Sequence, residues 1–198
     1  MCKKIVLLSI CCLLTLSTRA QGFKGGLHLG LLATQVDGDN HAGYKKPGLF
    51  TGIFITLPLS EKKMQFQFEL NYAQKGSSAN PIYRIALHQV EPTVLFGWNF
   101  WNKFWLEGGL SFNILASAKE YVNQSLIDPS VGSNFYLFHV DGIAGLGYRF
   151  HEHWGISFRY SYSFTPIGRA NKSRNERTVS GYMFNNCLLF RLYLIMSK

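Results

Sequence analysis

Cysteine is scarce in this chain of 198 residues, and three of its four cysteines lie within the first twelve positions. Only Cys187 lies in the remainder, which excludes the internal disulfide framework that stabilises many small secreted domains. The sequence also lacks, after residue 20, any apolar run of the roughly 20 residues that a membrane-spanning helix needs. Its positive residues lie in short segments rather than in a basic helix or a lysine-rich stripe, so we expect no nucleic-acid partner.

The first twenty residues have the pattern of a secretory signal peptide. Lys3 and Lys4 provide the positive start, residues 5–16 are apolar, and Thr18-Arg19-Ala20 has small residues at the two positions that a signal peptidase reads. We expect cleavage after Ala20. The predicted organisation is a signal peptide at 1–20 and one domain at 21–198. An uncleaved membrane anchor is the alternative, and the apolar stretch is short for it.

Residues 154–164 alternate between two kinds of side chain. One face has the large apolar groups Trp154, Ile156, Phe158, Tyr160, Tyr162 and Phe164. The other face has Gly155, Ser157, Arg159, Ser161 and Ser163. A period of two predicts a β-strand. At ~3.3 Å per residue and a tilt of ~45°, this segment spans roughly 25 Å, the height of the apolar band of an outer-membrane barrel.

Similar patterns divide the chain into eight strand-like segments, with no useful helical periodicity between them. They cover approximately residues 23–36, 48–58, 63–76, 83–98, 103–118, 135–150, 153–166 and 178–196. In the fourth segment the apolar side chains change parity near His88–Pro92, which predicts a β-bulge. Pro92 has no N–H to donate to a strand ladder.

The connections between these segments sort by length. Tight connections fall at 61–62, 99–102 and 151–152, and long polar ones at 37–47, 119–134 and 167–177, with an intermediate one at 77–82. This order predicts an all-β fold, an eight-stranded antiparallel up-and-down transmembrane β-barrel with both termini and the tight turns in the periplasm. A soluble sandwich or barrel, with the aromatic face buried in a core, is the alternative.

Several stretches resemble the Bacteroidetes outer-membrane β-barrel family, the PorT-like or "porin family" proteins. They are Ala20-Gln21, residues 26–30, the Gly-Asp…Gly-Tyr loop within 35–48, the Glu-Leu-Asn-Tyr…Lys-Gly-Ser strand within 67–77, and residues 159–163 before Pro166-Ile167. The resemblance implies an eight-stranded outer-membrane barrel. It implies no single activity and no catalytic residues. The chain departs from barrels of other bacteria by ending Met196-Ser197-Lys198, without a terminal aromatic residue.

Charged residues share the polar parity of the predicted strands. They are Glu69, Glu91, Glu107, Asp141, Arg149, Arg159 and Arg191. An eight-stranded barrel is only wide enough for side chains, and buried charges persist when they are paired. We therefore predict a structural ion-pair network that closes the lumen. A carboxylate active site is the alternative.

Tryptophans mark the expected edge of the apolar band. Trp98, Trp101, Trp105 and Trp154 lie next to tight connections. Tryptophan is enriched at membrane–water interfaces. We predict that these four form an aromatic girdle at the level of the lipid headgroups.

Two further patterns have a chemical alternative. A serine nucleophile needs a histidine base and a third group that orients the base, and Ser157 follows His151, Glu152 and His153 closely in sequence. These three residues flank a tight turn, and the sequence has no Gly-x-Ser-x-Gly motif, so both features argue against catalysis. Asp37-Gly38-Asp39-Asn40 has oxygen ligands at close spacing without the closing glutamate of a calcium loop. We expect no enzyme activity, no cofactor and no metal.

The predicted function is structural or interaction-based, through the loops at 37–47, 119–134 and 167–177. The expected partners are outer-membrane lipid and lipopolysaccharide, approached through basic segments at 45–46, 62–63 and 169–177, and the barrel-assembly machinery. We expect a monomer in the outer membrane with a filled lumen, not an open porin. The alternatives are a PorT-like secretion accessory, a membrane-embedded lipid-modifying enzyme, and a secreted lipocalin-like ligand binder.

Overall fold

A computed structural model describes residues 22–39, 43–59, 63–79, 83–127, 134–169 and 181–196. The strands of these ranges are β1 (Lys24–Asp37), β2 (Lys46–Pro58), β3 (Met64–Ala79), β4 (Tyr83–Trp101), β5 (Phe104–Val122), β6 (Ser125–Leu126), β7 (Asn134–Phe135), β8 (Phe138–Tyr148), β9 (Trp154–Ser163), β10 (Gly168–Arg169) and β11 (Tyr182–Met196). Among the described residues, no helix has the length and apolar character needed to cross a membrane. The predicted signal peptide at 1–20 lies outside the described residues.

Eight long strands form a closed ring in the order β1-β2-β3-β4-β5-β8-β9-β11, and every neighbouring pair is antiparallel. The ring closes because β1 pairs with β11 from Gly25–Met196 to Asp37–Phe184. Three two-residue strands, β6, β7 and β10, lie off the ring. The predicted eight-stranded up-and-down barrel is therefore confirmed.

The connections separate the two ends of the barrel. One end, which we call the turn end, has the tight connections β2–β3, β4–β5 and β8–β9. The other end, the loop end, has the connections β1–β2, β3–β4, β5–β8 and β9–β11, and the last two contain the short strands. At the β4–β5 turn, Asn102 has a φ of 45°. Its backbone carbonyl oxygen accepts a hydrogen bond from the side-chain amide of Asn99 at 2.7 Å.

The outer wall is apolar and the interior is polar, the reverse of a soluble protein. Exposed outward side chains include Leu29, Leu31, Ile53, Phe68, Leu70, Phe96, Leu110, Phe158, Phe190 and Leu192. Buried inward side chains include Gln67, Glu69, Asn71, Thr93, Asn113, His139, Asp141, Ser157, Arg159 and Arg191. Such a wall is stable only against hydrocarbon. This arrangement excludes the secreted lipocalin-like alternative, because that fold needs its apolar face inside.

Strand β4 keeps one inward parity along its length, which corrects the prediction of a parity change. Ile85 and Leu87 point inward with Gln89 and Glu91. The predicted irregularity near His88 does exist, as a register shift between His88 and Gln89 in the β4–β5 pairing. The apolar pattern changes sides because the interior itself becomes apolar at the loop end.

That apolar interior is an end plug. Val36, Ile85, Leu87, Ile167 and Met183 are buried together, and Tyr83, Leu115 and Phe135 pack against them. Strand β10 holds the plug in place, since it pairs with β11 on one side and with β7 on the other. The short strands β7 and β10 are thereby tied to the barrel mouth.

Candidate functional site

Four charged side chains form the first group in the lumen, which we call the arginine cluster. It contains Glu69 of β3, Glu107 of β5, Arg159 of β9 and Arg191 of β11. Arg159 donates to both oxygens of Glu69, at 2.9 Å from Nη1 and 2.8 Å from Nη2, and its Nε donates to Glu107 at 2.7 Å. Arg191 Nη1 donates to Glu69 at 2.8 Å. Two acids thus balance two bases.

The arginine cluster crosses the full width of the barrel. Strands β3 and β9 are four places apart in the eight-membered ring, so Glu69 and Arg159 come from opposite walls. Arg191 also donates to Ser157 Oγ at 2.7 Å, and its Nη1 lies 3.2 Å from His28 Nδ1. The His28 ring is stacked on Phe50, with 5.1 Å between ring centroids. The hydrogen bonds hold the charges in one fixed arrangement.

A second group, the lysine cluster, lies nearer the loop end. Lys75 Nζ lies 2.7 Å from Glu91 Oε1 and 2.8 Å from Asp141 Oδ2. Ser163 Oγ donates to Asp141 Oδ1 at 2.9 Å, and His139 Nε2 lies 3.4 Å from the same oxygen. All of these side chains are buried. The lysine cluster pairs two carboxyl groups with one ammonium group.

Six of the seven charged residues predicted for the lumen belong to these two clusters, and Arg149 does not. Among the described residues, its guanidinium carbon lies 4.9 Å from the centroid of the Trp105 ring. Lys75 was not among the predicted lumen residues, although it shares the parity of Glu69 six residues earlier. Lys75 lies one residue before the end of the predicted strand, where the inward or outward side was not assigned.

Trp105 corrects the prediction of the aromatic girdle. Its side chain is only 6% exposed and lies inside the barrel under Arg149, whereas Trp101 is 69% exposed. Trp98 and Trp154 also lie outward and exposed. Trp105 has the same parity as Glu107, so its inward direction follows from the pleat of β5.

The interior between the charged clusters is packed rather than open. Buried apolar groups include Leu32, Phe50, Ala73, Cys187 and Leu189, and towards the turn end Phe54, Tyr193 and Ile195. A cavity of about 20 Å³ lies between the clusters, and one of about 10 Å³ lies beside Glu107 and Arg149. Each is comparable to the space of a single water. A water-filled channel typically needs a barrel of about 16 strands.

The candidate serine–histidine site is not assembled. Ser157 points into the lumen and accepts the hydrogen bond from Arg191, while His151 lies exposed at the turn end. The His151 and His153 rings are 5.7 Å apart, between centroids. The contacts of the described residues include none between Ser157 and either histidine.

In the Asp37–Asn40 segment, for which calcium binding was the alternative to a turn, the Asp37 carboxylate is used in internal hydrogen bonds. Asp37 Oδ1 accepts a hydrogen bond from the Gln35 amide at 2.7 Å, and Oδ2 accepts one from the Asn186 amide at 3.4 Å. Gly38 has a φ of 99°, a conformation typical of a turn glycine. Asn40 lies outside the described residues. Within the described ranges, no three metal-ligating side chains come together.

Two long loops carry part of the predicted interaction surface. Residues 128–133 and 170–180 lie outside the described residues, as does Lys62. At the edge of the second loop, Arg169 donates to the Tyr182 hydroxyl at 2.7 Å. That hydrogen bond raises the pKa of the Arg169 guanidinium.

The closed ring, the apolar wall and the filled polar lumen define a small outer-membrane β-barrel. The model of the outer membrane protein beta-barrel domain matches residues 17–169, and the chain belongs to this family. No curated protein matches the sequence.

Two solved structures show the same fold. The attachment invasion locus protein Ail of Yersinia pestis is 11% identical, with a TM-score of 0.53 over 88% of this chain and 99% of that chain. Neisserial surface protein A (NspA) is 10% identical, with a TM-score of 0.56 over 86% of this chain and 96% of that chain. At these identities the likeness concerns the fold alone.

Proposed function

We propose that this barrel is closed to solutes and acts through its loop end, as an interaction or structural protein of the outer membrane. The observation that carries the proposal is the contact of Glu69 with Arg159 between opposite walls. Opening the lumen there would separate buried charges, which costs several kcal/mol per ion. The apolar plug around Ile167 closes the loop end as well.

The proposal includes an orientation with the loop end outside the cell and the turn end in the periplasm. It rests on the lengths of the connections, since outer-membrane barrels have short periplasmic turns and longer external loops. The expected partners are outer-membrane lipid, lipopolysaccharide and the barrel-assembly machinery, with no nucleic acid. A monomer is expected, because the wall of the ring leaves no unpaired edge for a second copy.

The narrower assignment to the PorT-like Bacteroidetes group also belongs to this proposal. It is supported by the stretches within residues 26–48 and 67–77. We propose no enzyme activity, because Ser157 and Asp141 are held in hydrogen bonds inside the lumen. The signal peptide with cleavage after Ala20 is the corresponding export route.

Planar-bilayer recording of the refolded full chain tests closure. We expect no unitary conductance steps under conditions in which a 16-stranded porin, inserted in the same bilayer, gives them. Stable steps from this chain would contradict a closed lumen.

Cysteine labelling tests the orientation, because Cys187 is buried. Lys45→Cys at the loop end and Lys103→Cys at the turn end are a matched pair of exposed positions. A membrane-impermeant maleimide applied to intact cells is expected to label the first variant, and to label the second only after lysis. The reverse result would overturn the orientation.

A further inference from the structure

The outer wall changes character at the loop end of β3, β4 and β5. Three rows of cross-strand partners form a surface that we call the outer patch: Gln74–His88–Ser117, Gly76–Ala86–Lys119 and Ser78–Arg84–Tyr121. These positions continue the outward parity of Val90, since directly opposed residues of an antiparallel pair point to the same side. The outer patch contains two permanent cations and no acid.

The two cations stand side by side, and no described acid pairs with either of them. Arg84 and Lys119 are both exposed and lie in neighbouring rows of β4 and β5. Diagonal neighbours of this kind are about 7–8 Å apart. In the part of the chain that the structure describes, neither forms an ion pair. Glu120, next to Lys119 in sequence, is turned inward and has its own contact.

A third cation lies behind this part of the wall, on the lumen side, because Lys46 shares the inward parity of Phe50 and is paired with the buried Thr34. Lys46, the first residue of β2, is 5% exposed and has no ion pair with any described residue. A Cβ atom on Gly76 would lie 3.3 Å from Lys46 Cδ, and the Arg84 guanidinium repels the lysine charge. A buried ammonium group without an anion is costly. The Lys46 charge therefore adds to the positive potential at the loop end, while Arg84 and Lys119 are the two cations that an anion on the outer wall would contact.

His88 adds an oriented hydrogen-bond donor. The Gln74 amide donates to the Tyr72 hydroxyl at 3.1 Å, and that hydroxyl lies 2.6 Å from His88 Nδ1. When the hydroxyl donates to Nδ1, the ring carries its proton on Nε2. Ala86, at the centre of the outer patch, has a small side chain that is 9% exposed. The larger neighbouring side chains therefore form the rim of a shallow depression.

We propose that the outer patch binds the phosphate group of a lipid headgroup. Guanidinium and ammonium groups form charge-assisted hydrogen bonds with phosphate oxygens. The lipid source is favoured because the same strands expose Leu70, Val90 and Val94 immediately towards the turn end, where acyl chains would lie. The inference rests on the proposed orientation, which places the outer patch at the external leaflet.

Lipid titration of the refolded full chain tests the proposal. The probes are lipid A with both phosphates and the same lipid A after enzymatic removal of the phosphates, with bound lipid counted by native mass spectrometry. The wild type is expected to prefer the phosphorylated lipid. Arg84→Gln/Lys119→Gln is expected to bind it about tenfold more weakly, a difference of about 1.4 kcal/mol.

Lys103→Gln is the control, because Lys103 is an exposed lysine at the turn end. It should bind like the wild type, and an equal loss in this control would overturn the proposal as general charge attraction. Equal binding of both lipids would overturn it too. Displacement of the lipid by inorganic phosphate at equal concentration would assign the outer patch to the free anion instead.

Separate measurements report the folding of each variant, the orientation of the barrel and the binding of lipid. Each variant is first checked for heat-modifiable mobility on a gel, and Lys119→Gln alone serves if the double variant does not fold. The single variant is expected to show a smaller loss in the same direction, and unchanged binding would contradict the proposal. Cysteine labelling reports the orientation independently, so a failure of lipid binding is distinguishable from a failure of the proposed function.

Discussion

Arg159 and Glu69 form a two-pronged contact across the barrel, with N–O distances of 2.9 and 2.8 Å, although 90 residues separate them in sequence. Glu69 also accepts a hydrogen bond from Arg191. One carboxylate therefore ties two strands of the far wall to β3. These hydrogen bonds hold the charges of the arginine cluster in one arrangement across the width of the barrel.

Replacing this carboxylate should destabilise the barrel strongly. Among the described residues, Glu69→Gln leaves Arg159 and Arg191 with only Glu107 as counter-charge, and breaking a buried ion pair on one side costs about 3–5 kcal/mol. Urea unfolding of the refolded chain in lipid vesicles measures the change. Glu152→Gln, an exposed acid at the turn end, is the control and should unfold like the wild type. A similar midpoint for both variants would refute the structural role of Glu69.

Removing the cation of the lysine cluster should also destabilise the barrel, and removing its two acids as well should restore stability. Lys75→Met leaves Glu91 and Asp141 facing each other without a cation, and we expect a loss of about 3 kcal/mol or more in the free energy of unfolding. Adding Glu91→Gln and Asp141→Asn removes the repulsion and should recover most of the loss. Urea unfolding measures both. A triple variant no more stable than Lys75→Met would show that Lys75 acts by packing rather than by charge.

The tryptophans should separate into lipid-facing and shielded groups. In vesicles of brominated lipid, single-tryptophan variants retaining Trp98 or Trp154 should be quenched strongly, because both side chains lie on the outer wall. A variant retaining only Trp105 should be quenched little, since its ring lies inside under Arg149. Equal quenching of all three fluorescence signals would place Trp105 in the girdle after all.

A side chain at Gly76 should destabilise the barrel. Its φ is 132°, and a Cβ atom would collide with the Ile85 carbonyl oxygen. Strained backbone of this kind costs about 1–3 kcal/mol, so Gly76→Ala should lower the free energy of unfolding by about that amount. Gly25→Ala is the matched control, because a Cβ there meets only the Phe54 carbonyl oxygen at 4.0 Å. Thermal unfolding on heated gels compares the two, and equal midpoints would contradict the strain.

Much of the architecture was available from the alternation of side chains. The predicted segment 153–166 contains β9, and the predicted 63–76 differs from β3 by one residue at its start and three at its end. The inward and outward sides were predicted less accurately where the apolar pattern changed sides, as at Ile85 and Leu87, although the predicted start at residue 83 matches β4. Those side chains are apolar because they form the loop-end plug, and a local pattern cannot distinguish a plug from a lipid-facing wall.

The charged interior was predictable as a set of residues but not as a set of partners. Parity identified Glu69, Glu107, Arg159 and Arg191 as inward, and the same rule would have identified Lys75 and Trp105 if it had been applied to every position. Partner choice depends on which strands face each other, and that depends on the closure of β1 on β11.

The sequence by itself determined that strands of membrane-crossing length would form and which side of most of them would meet lipid, because the period of two is a property of the local backbone. Only the tertiary structure decided that Glu69 meets Arg159 while Arg149 covers Trp105. It also decided that Arg84 and Lys119 lie in neighbouring rows of the outer wall. Contacts across a lumen and between neighbouring strands are fixed by ring closure and register, and both arise only when distant segments pair.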